Sequence, residues 1–227
     1  MNYLFDIDGT LTNPRQKIDP QFESFFLKWM EGKRVYLVTG SDLPKVREQI
    51  GEQIMNKCEG CFVCNGNALY SEGYYAEKST WKIDWNLLMS LFLKLNSSMY
   101  PIRTGNHIEI RSGMVNFSTV GRSCTQAQRE EYFRWDQEHH ERIYICHNIK
   151  SQFPELEAVI GGQISIDIYP KGKDKSQVVK YISDAPITFF GDRCEEGGND
   201  YTLFSLLKDS TVKVNGWKDT YEYLSKM

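Results

Sequence analysis

The first third of the chain alternates short apolar runs with longer segments of helical periodicity. Residues 3–5, 35–38 and 62–63 are apolar runs typical of short buried strands, and each ends near acidic or turn-forming residues. Residues 20–32 place aromatic side chains at intervals of three and four, which is the spacing of one helix face. Residues 42–54 predict a second helix after a capping Ser or Asp. This alternation predicts a parallel sheet with helical crossovers.

The middle of the chain lacks the regular alternation. It combines leucines at helical spacing with short strand patterns that meet at glycine-containing turns and with one polar helical segment. The predicted elements are a hairpin around 71–73, a helix at about 83–96, strands at 107–111 and 114–117, a helix at about 126–141 and a strand at 163–168. This mixture is typical of an α+β module.

The alternating pattern returns after Gly172. The predicted elements there are a helix at 174–183, a strand at 187–190, a helix at 199–207, a strand at 212–214 and a C-terminal helix. We therefore predict an α/β protein with a Rossmann-like parallel-sheet core, formed by residues 1–77 and 173–227. An inserted α+β cap domain is expected at residues 78–172.

Composition and charge narrow the range of partners. The net charge of -3 gives no electrostatic basis for binding nucleic acid or an acidic membrane surface. The sequence shows neither a secretory leader nor an apolar run of the roughly 20 residues that a membrane helix needs. We expect a cytoplasmic protein that binds a small molecule.

Three cysteines lie close together, at Cys58, Cys61 and Cys64. They could ligate zinc or an iron–sulfur cluster. However, a structural zinc site usually has four ligands in two separated pairs, and the chain has no second C-x-x-C. The favoured interpretation is that these side chains are small apolar residues beside a buried strand.

Two acidic residues follow the first predicted strand, in the segment Asp6-Ile-Asp8-Gly-Thr. Ligands of open α/β sheets bind beyond this edge. A carboxylate that attacks phosphorus divides one difficult displacement into two easier ones. A second carboxylate two residues further on can protonate the leaving oxygen and later accept a proton. Taken alone, the segment could equally be an acidic turn with a capping Asp.

Further polar groups occupy other strand ends and helix starts. Thr39 and Ser41 place hydroxyls at the start of a predicted helix, where N–H groups bind phosphate. Lys175 begins another predicted helix. Oxygen-bearing side chains follow the strand at 187–190, at Asp192, Asn199 and Asp200. Individually these residues could be helix caps, a solvated lysine and a glycine-rich turn.

In this order, the four motifs resemble the haloacid dehalogenase superfamily. The resemblance implies that Asp6 is a nucleophile, that Asp8 is a general acid/base, and that Thr39 and Lys175 hold the transferring phosphoryl group. It also implies a Mg²⁺ site, with ligands from Asp6, the Asp8 backbone carbonyl and Asp192, supported by Asn199 or Asp200. Oxygen ligands of this kind suit Mg²⁺.

Longer segments resemble the eukaryotic-type α-phosphomannomutases over nearly the whole chain. These segments are 6–15, 108–116, 120–124, 161–167, 189–192 and 197–200. The resemblance implies contacts to a sugar phosphate from Arg15 in the core and from Arg111, Arg122, Arg129, Ser165 and Asp167 in the cap domain. Arginine suits this role because it binds phosphate bidentately.

The resemblance therefore implies a phosphomannomutase-type enzyme that interconverts hexose 6-phosphate and hexose 1-phosphate through an aspartyl-phosphate. A sugar 1,6-bisphosphate would be the activator, and a homodimer through the cap domain is expected. The alternative is a sugar-phosphate phosphatase of the same superfamily. The sequence leaves open the choice between mannose and glucose, and whether Thr39 or Ser41 supplies the phosphate-binding hydroxyl, because many family members have Gly at position 39.

Overall fold

The computed structural model describes residues 1–182 and 185–227, which divide into two compact units. The core unit consists of Met1–Ser79 and Gly172–Met227, and the insert consists of Thr80–Lys171. None of the described helices has both the length and the apolar character needed to cross a membrane.

Both units are built from short strands and helices. The strands are β1 (Asn2–Phe5), β2 (Arg34–Val38), β3 (Gly60–Val63), β4 (Ala68–Ser71), β5 (Tyr74–Lys78), β6 (Ile108–Arg111), β7 (Met114–Phe117), β8 (Leu156–Gly161), β9 (Ser165–Pro170), β10 (Ile187–Gly191) and β11 (Thr211–Lys213). The α-helices are α1 (Pro20–Trp29), α2 (Leu43–Lys57), α3 (Trp85–Ser97), α4 (Gln126–His139), α5 (Glu141–Gln152), α6 (Tyr201–Leu207) and α7 (Trp217–Leu224). Two 3₁₀ helices span Lys175–Tyr181 and Lys208–Ser210.

The core unit contains a seven-stranded sheet in the order β11-β10-β1-β2-β3-β4-β5. The first five strands in this order are parallel, which confirms the predicted parallel-sheet core, and β4 and β5 add an antiparallel edge. All four residues of β1 are buried, as expected for a strand covered on both faces. The aromatic face of α1 packs against β1, with Phe26 and Trp29 edge-on to Phe5.

Two helices of the core unit depart from the regular pattern. Helix α2 is interrupted at Gly51, whose φ of 76° lies in the left-handed region that favours glycine. The segment predicted as a helix at 174–183 is a 3₁₀ helix over Lys175–Tyr181, and its predicted last residue lies outside the described residues. Asp174 caps its start by accepting a hydrogen bond from the Ser176 N–H.

The insert contains a four-stranded antiparallel sheet in the order β6-β7-β9-β8. One face of this sheet packs against α3 and α5 through a buried apolar cluster that includes Leu91, Phe117, Ile149 and Ile166. Because side chains alternate between the faces of a strand, the polar residues between these apolar positions share the opposite face. That opposite face carries polar side chains that the sequence predicts to contact a sugar phosphate.

Sequence analysis missed helix α5 and strand β8. The apolar pattern of α5 is misleading, because Arg142 is buried while its neighbours Ile143 and Tyr144 are exposed. Arg142 is buried through an ion pair with Asp136, with its Nε 2.7 Å from Asp136 Oδ2. A buried charge on the inner face and apolar residues on the outer face conceal the helical periodicity.

Candidate active site

Asp6 is the first residue after β1 and its side chain is buried. Its backbone N–H donates to the Phe190 carbonyl at 2.9 Å, which holds the start of the loop against the end of β10. Lys175, which is also fully buried, reaches the same place from the 3₁₀ helix. Its Nζ lies 2.5 Å from Asp6 Oδ1 and 2.7 Å from Asp200 Oδ1. The core unit therefore holds a buried ammonium between two buried carboxylates.

A third carboxylate, that of Asp192, completes an acidic cluster. One oxygen from each of Asp6, Asp192 and Asp200 lies within 4.8 Å of the others. Burial raises the pKa of Asp192 to about 7, and the neighbouring Asp200 carboxylate adds to the shift. Burial also raises the pKa of Asp6 well above its usual value, although Lys175 opposes the shift. Carboxylates this close together favour the binding of a cation, or of a proton by one of them.

The chemistry of this cluster fits a divalent cation. Among the described residues, Asp192 Oδ1 is buried and has no hydrogen-bond partner, although carboxylate oxygens in such positions are normally satisfied. Gly9 has a φ of 85°, and a Cβ there would clash with Asp192 Oδ2, so the chain needs glycine at that point. Hard carboxylate oxygens are preferred by Mg²⁺. Asn199 is half-buried and immediately precedes Asp200, and its part in metal binding stays a prediction.

Asp8 lies beside this cluster and is held by three donors. Its Oδ1 accepts from the Arg15 backbone N–H at 2.7 Å and from Gln49 Nε2 at 2.8 Å. Its Oδ2 accepts from the Ser41 hydroxyl at 3.3 Å. Arg15 has a φ of 63°, so a left-handed turn presents its N–H to the carboxylate. These contacts restrict the orientation of the Asp8 side chain.

Thr39 and Ser41 are both at the end of β2, but their hydroxyls have different neighbours. Thr39 is buried, and its Oγ1 accepts from the Ser41 backbone N–H at 3.0 Å. The Ser41 hydroxyl donates to Asp8. Accepting a hydrogen bond leaves the Thr39 proton available for a ligand oxygen, whereas the Ser41 proton is already used.

The insert brings two of the predicted arginines together around Glu109. Arg111 Nη2 lies 2.5 Å from Glu109 Oε2, and Arg122 Nε lies 3.2 Å from Glu109 Oε1. Burial would raise the pKa of Glu109, but Arg122 and Arg111 together outweigh it and lower the pKa. Glu109 therefore stays ionised and keeps the two guanidinium groups in one place.

Ser165 and Asp167 belong to the same polar network of the insert. Arg122 Nη1 donates to Ser165 Oγ at 2.9 Å and to Asn116 Oδ1 at 3.0 Å. Asn116 Nδ2 donates to Asp167 Oδ1 at 2.6 Å. Arg129 is buried on α4. The predicted substrate residues of the insert thus include one connected group of four, namely Arg111, Arg122, Ser165 and Asp167.

Comparison with known proteins identifies the family. The sequence profile described as eukaryotic phosphomannomutase matches residues 22–227. A phosphomannomutase of Dendrobium officinale is 36% identical, with 96% of this chain and 90% of that protein covered. A phosphomannomutase of Drosophila melanogaster is 35% identical, with coverage of 99% and 94%. The chain belongs to the eukaryotic phosphomannomutase family.

Solved structures place this family member in the haloacid dehalogenase-like fold. A haloacid dehalogenase-like hydrolase from Bacteroides thetaiotaomicron superposes with a TM-score of 0.64 and 13% identity, covering 99% of this chain and 98% of the other. An inosine monophosphate nucleotidase from Plasmodium falciparum gives a TM-score of 0.61 at 14% identity, with coverage of 99% and 67%. At these identities the likeness concerns the fold alone.

The three clustered cysteines of this phosphomannomutase family member lie in or close to the buried strand β3. Cys61 and Cys64 are buried, and burial raises the pKa of Cys61 to about 12, so its thiol stays protonated. Within residues 1–182 and 185–227, Cys58, Cys61 and Cys64 do not converge into a metal-binding group. The interpretation of all three as small apolar residues stays a prediction.

Gln49 is a site residue that sequence analysis missed. Its amide donates to Asp8, and its backbone carbonyl accepts from the Ile18 N–H at 2.8 Å because the break at Gly51 interrupts the helix. The available signal was a polar residue within the apolar face of α2, between the buried Val46 and Ile50. A buried amide in such a face requires a polar partner.

Replacement of Gln49 by methionine tests the importance of this contact. The side chain keeps its approximate size but loses the donor to Asp8. Hydrogen bonds to charged groups are worth about 1.5–3 kcal/mol, so we expect kcat to fall by roughly 10-fold or more with a smaller change in KM. The matched control is Gln53→Met on the exposed face of the same helix. Equal kcat values for the two variants would show that Gln49 does not position Asp8.

Proposed function

We propose that this chain is a Mg²⁺-dependent phosphomannomutase that interconverts hexose 6-phosphate and hexose 1-phosphate. The observation that carries the proposal is the buried Asp6, paired with Lys175, in a chain that matches the Dendrobium and Drosophila phosphomannomutases over nine-tenths or more of their length. The same comparisons do not favour the alternative, a phosphatase of the superfamily.

Asp6 is assigned as the nucleophile. A carboxylate oxygen of Asp6 forms a bond to the phosphorus of a sugar 1,6-bisphosphate while the bond from phosphorus to the sugar oxygen breaks. The resulting aspartyl-phosphate then passes its phosphoryl group to the other hydroxyl of a bound sugar monophosphate, and Asp6 returns to a carboxylate. Each displacement is easier than a direct transfer between sugar oxygens.

Asp8 is assigned as the general acid/base. It supplies the proton to the departing sugar oxygen, and it takes the proton from the hydroxyl that attacks the aspartyl-phosphate. Arg15, Gln49 and Ser41 support this role by holding the carboxylate in one orientation. General acid/base catalysis of this kind contributes on the order of 10²–10⁴-fold.

Neutralisation of the negative charge on the transferring phosphoryl group is assigned to Lys175, Thr39 and the acidic cluster. Lys175 Nζ, next to Asp6, supplies a fixed positive charge where the phosphoryl oxygens would lie. The Thr39 hydroxyl donates to one of those oxygens. Asp6, Asp192 and the Asp8 backbone carbonyl, with Asn199 or Asp200 in support, would hold Mg²⁺, which would reduce the repulsion between the phosphoryl oxygens and the carboxylate.

The insert is assigned to the part of the substrate that does not react. A mutase intermediate carries phosphate at both ends of the sugar, so a second phosphate needs its own cationic site. Arginine binds phosphate bidentately, and charge-assisted bonds of this kind are stronger than neutral ones. The assigned phosphate ligands are Arg111, Arg122, Arg129 and, from the core unit, Arg15, and the assigned hydroxyl ligands are Ser165 and Asp167. A homodimer through the insert stays a prediction.

A ³¹P NMR assay tests this function. The protein is mixed with mannose 1-phosphate, Mg²⁺ and a trace of sugar 1,6-bisphosphate. We expect the 1-phosphate resonance to be replaced by that of a hexose 6-phosphate, and the rate to depend on the bisphosphate and to vanish with EDTA. A repeat with glucose 1-phosphate measures the epimer preference.

The products separate the mutase from its alternative. Inorganic phosphate as the sole product would support the phosphatase and overturn the mutase. Conversion that proceeds at the same rate in EDTA would contradict the proposed dependence on a divalent cation. A chain that converts neither sugar phosphate would contradict both assignments.

A further inference from the structure

Three polar residues lie side by side across the insert sheet. Asn116 on β7 is directly opposite Glu109 on β6, and it is also directly opposite Asp167 on β9. Residues that are directly opposite in neighbouring strands share one face of the sheet. An uncharged amide therefore separates two acidic side chains. None of the sequence motifs assigned a role to Asn116.

The amide of Asn116 makes one hydrogen bond in each direction. Its Nδ2 donates to Asp167 Oδ1 at 2.6 Å, and its Oδ1 accepts from Arg122 Nη1 at 3.0 Å. The residue is 3% exposed, so water cannot easily replace either partner. The carboxamide of Asn offers an acceptor oxygen and N–H donors on one planar group. The side chain is thus matched to a guanidinium on one side and a carboxylate on the other.

Asn116 links Arg122 to Asp167, and Arg122 is also held by other members of the network. Arg122 Nε faces Glu109, and its Nη1 also donates to Ser165 Oγ. The Asp167 carboxylate lies close to Gly161, where an added Cβ would be 3.0 Å from Asp167 Oδ2. A displacement of Asn116 would therefore affect both neighbours.

We propose that Asn116 is a positioning residue that fixes Arg122 and Asp167 relative to each other, so that phosphate and sugar hydroxyls are recognised as one unit. The inference deepens the proposed function and rests on it. Asn116 acts through its two neighbours. Its contribution is to hold a phosphate ligand and a hydroxyl ligand at one fixed separation before the sugar phosphate arrives, which lowers the cost of ordering them on binding.

Aspartate is the informative substitution at this position because it has the same shape. Asn116→Asp keeps an acceptor for Arg122 but places a carboxylate between those of Glu109 and Asp167. Like charges directly opposite each other in a sheet are unfavourable. Asp167 must then turn away or take up a proton, and either change removes the orientation that the amide provides. Asn116→Ala removes both hydrogen bonds without adding charge.

Steady-state kinetics with mannose 1-phosphate tests the inference. For Asn116→Asp and Asn116→Ala we expect KM to rise by roughly 10-fold or more, the size expected when a hydrogen bond to a charged group is lost, with a smaller change in kcat. The control is Asn148→Ala, whose side chain accepts from Lys94 outside this network. We expect the control to keep the wild-type KM.

A merely structural role gives a different result. It would lower the unfolding temperature and the fraction of active protein, but the folded molecules would keep the wild-type KM. An unchanged KM in Asn116→Asp, with an active wild type, overturns the inference alone. A wild type that does not convert mannose 1-phosphate overturns the proposed function and the inference with it.

A double-mutant cycle gives a second readout. Asn116→Ala and Arg122→Ala share one interaction, so the double variant should raise KM by less than the product of the two single effects. Effects that multiply fully would show that Asn116 acts independently of Arg122, which contradicts the inference.

Discussion

Asp6→Asn is expected to abolish turnover while the core unit stays folded. The carboxamide keeps the shape of the side chain but cannot attack phosphorus. Stability should be largely retained, because Lys175 keeps its second buried partner, Asp200, in the variant. The measurement is conversion of mannose 1-phosphate together with thermal unfolding, and the control is Asp209→Asn at an exposed position of the core unit.

Beryllium fluoride gives an independent check of the same residue. It mimics a phosphoryl group on a carboxylate, so it should raise the unfolding temperature of the wild-type protein in the presence of Mg²⁺. The Asp6→Asn variant should show no such increase. Near-normal turnover by Asp6→Asn, or an equal increase in both proteins, would contradict covalent chemistry at Asp6.

Lys175→Met is expected to reduce both activity and stability strongly. The ammonium is fully buried between Asp6 and Asp200, and removing it leaves those carboxylates without their buried counter-charge. Loss of one partner of a buried ion pair typically costs about 3–5 kcal/mol. For a chain of this size we expect the unfolding temperature to fall by on the order of 10 °C. Turnover should be lost as well, because the fixed charge at the phosphoryl group is gone.

Two further variants separate this effect from a general loss of charge. Lys180→Met removes an exposed lysine from the same 3₁₀ helix and should change neither property appreciably. The double variant Lys175→Met/Asp200→Asn removes one of the uncompensated carboxylates and should be more stable than Lys175→Met. If Lys175→Met unfolds at the wild-type temperature, the buried ion pairs do not contribute to stability as described.

The positions of Asp6, Thr39 and Asp192 were predictable from the sequence because each follows an apolar strand. In the structure these strands are the parallel β1, β2 and β10, whose carboxyl ends lie at one edge of the sheet. The order of these parallel strands is therefore enough to predict that the three side chains lie near one another, and no detail of side-chain packing is needed. The roles assigned to them stay proposals.

The supporting residues were not predictable because their contacts depend on register and on local irregularity. Gln49 reaches Asp8 across 41 residues, and its backbone carbonyl is available to Ile18 through the break at Gly51. Asn116 lies between Glu109 and Asp167 only because β7 pairs with β6 and β9 in one particular register. A shift of one residue would move Asn116 to the opposite face of the sheet.

A label-transfer experiment tests the central claim most directly. The protein is phosphorylated with a ³²P-labelled sugar 1,6-bisphosphate, freed of excess label and then mixed with unlabelled mannose 1-phosphate before acid quenching. Before mixing, we expect the ³²P label on the peptide that contains Asp6. After mixing, we expect the label to move into sugar phosphate in preference to inorganic phosphate. Protein that acquires no covalent label, or label that leaves solely as inorganic phosphate when mannose 1-phosphate is present, would contradict a mutase that works through Asp6.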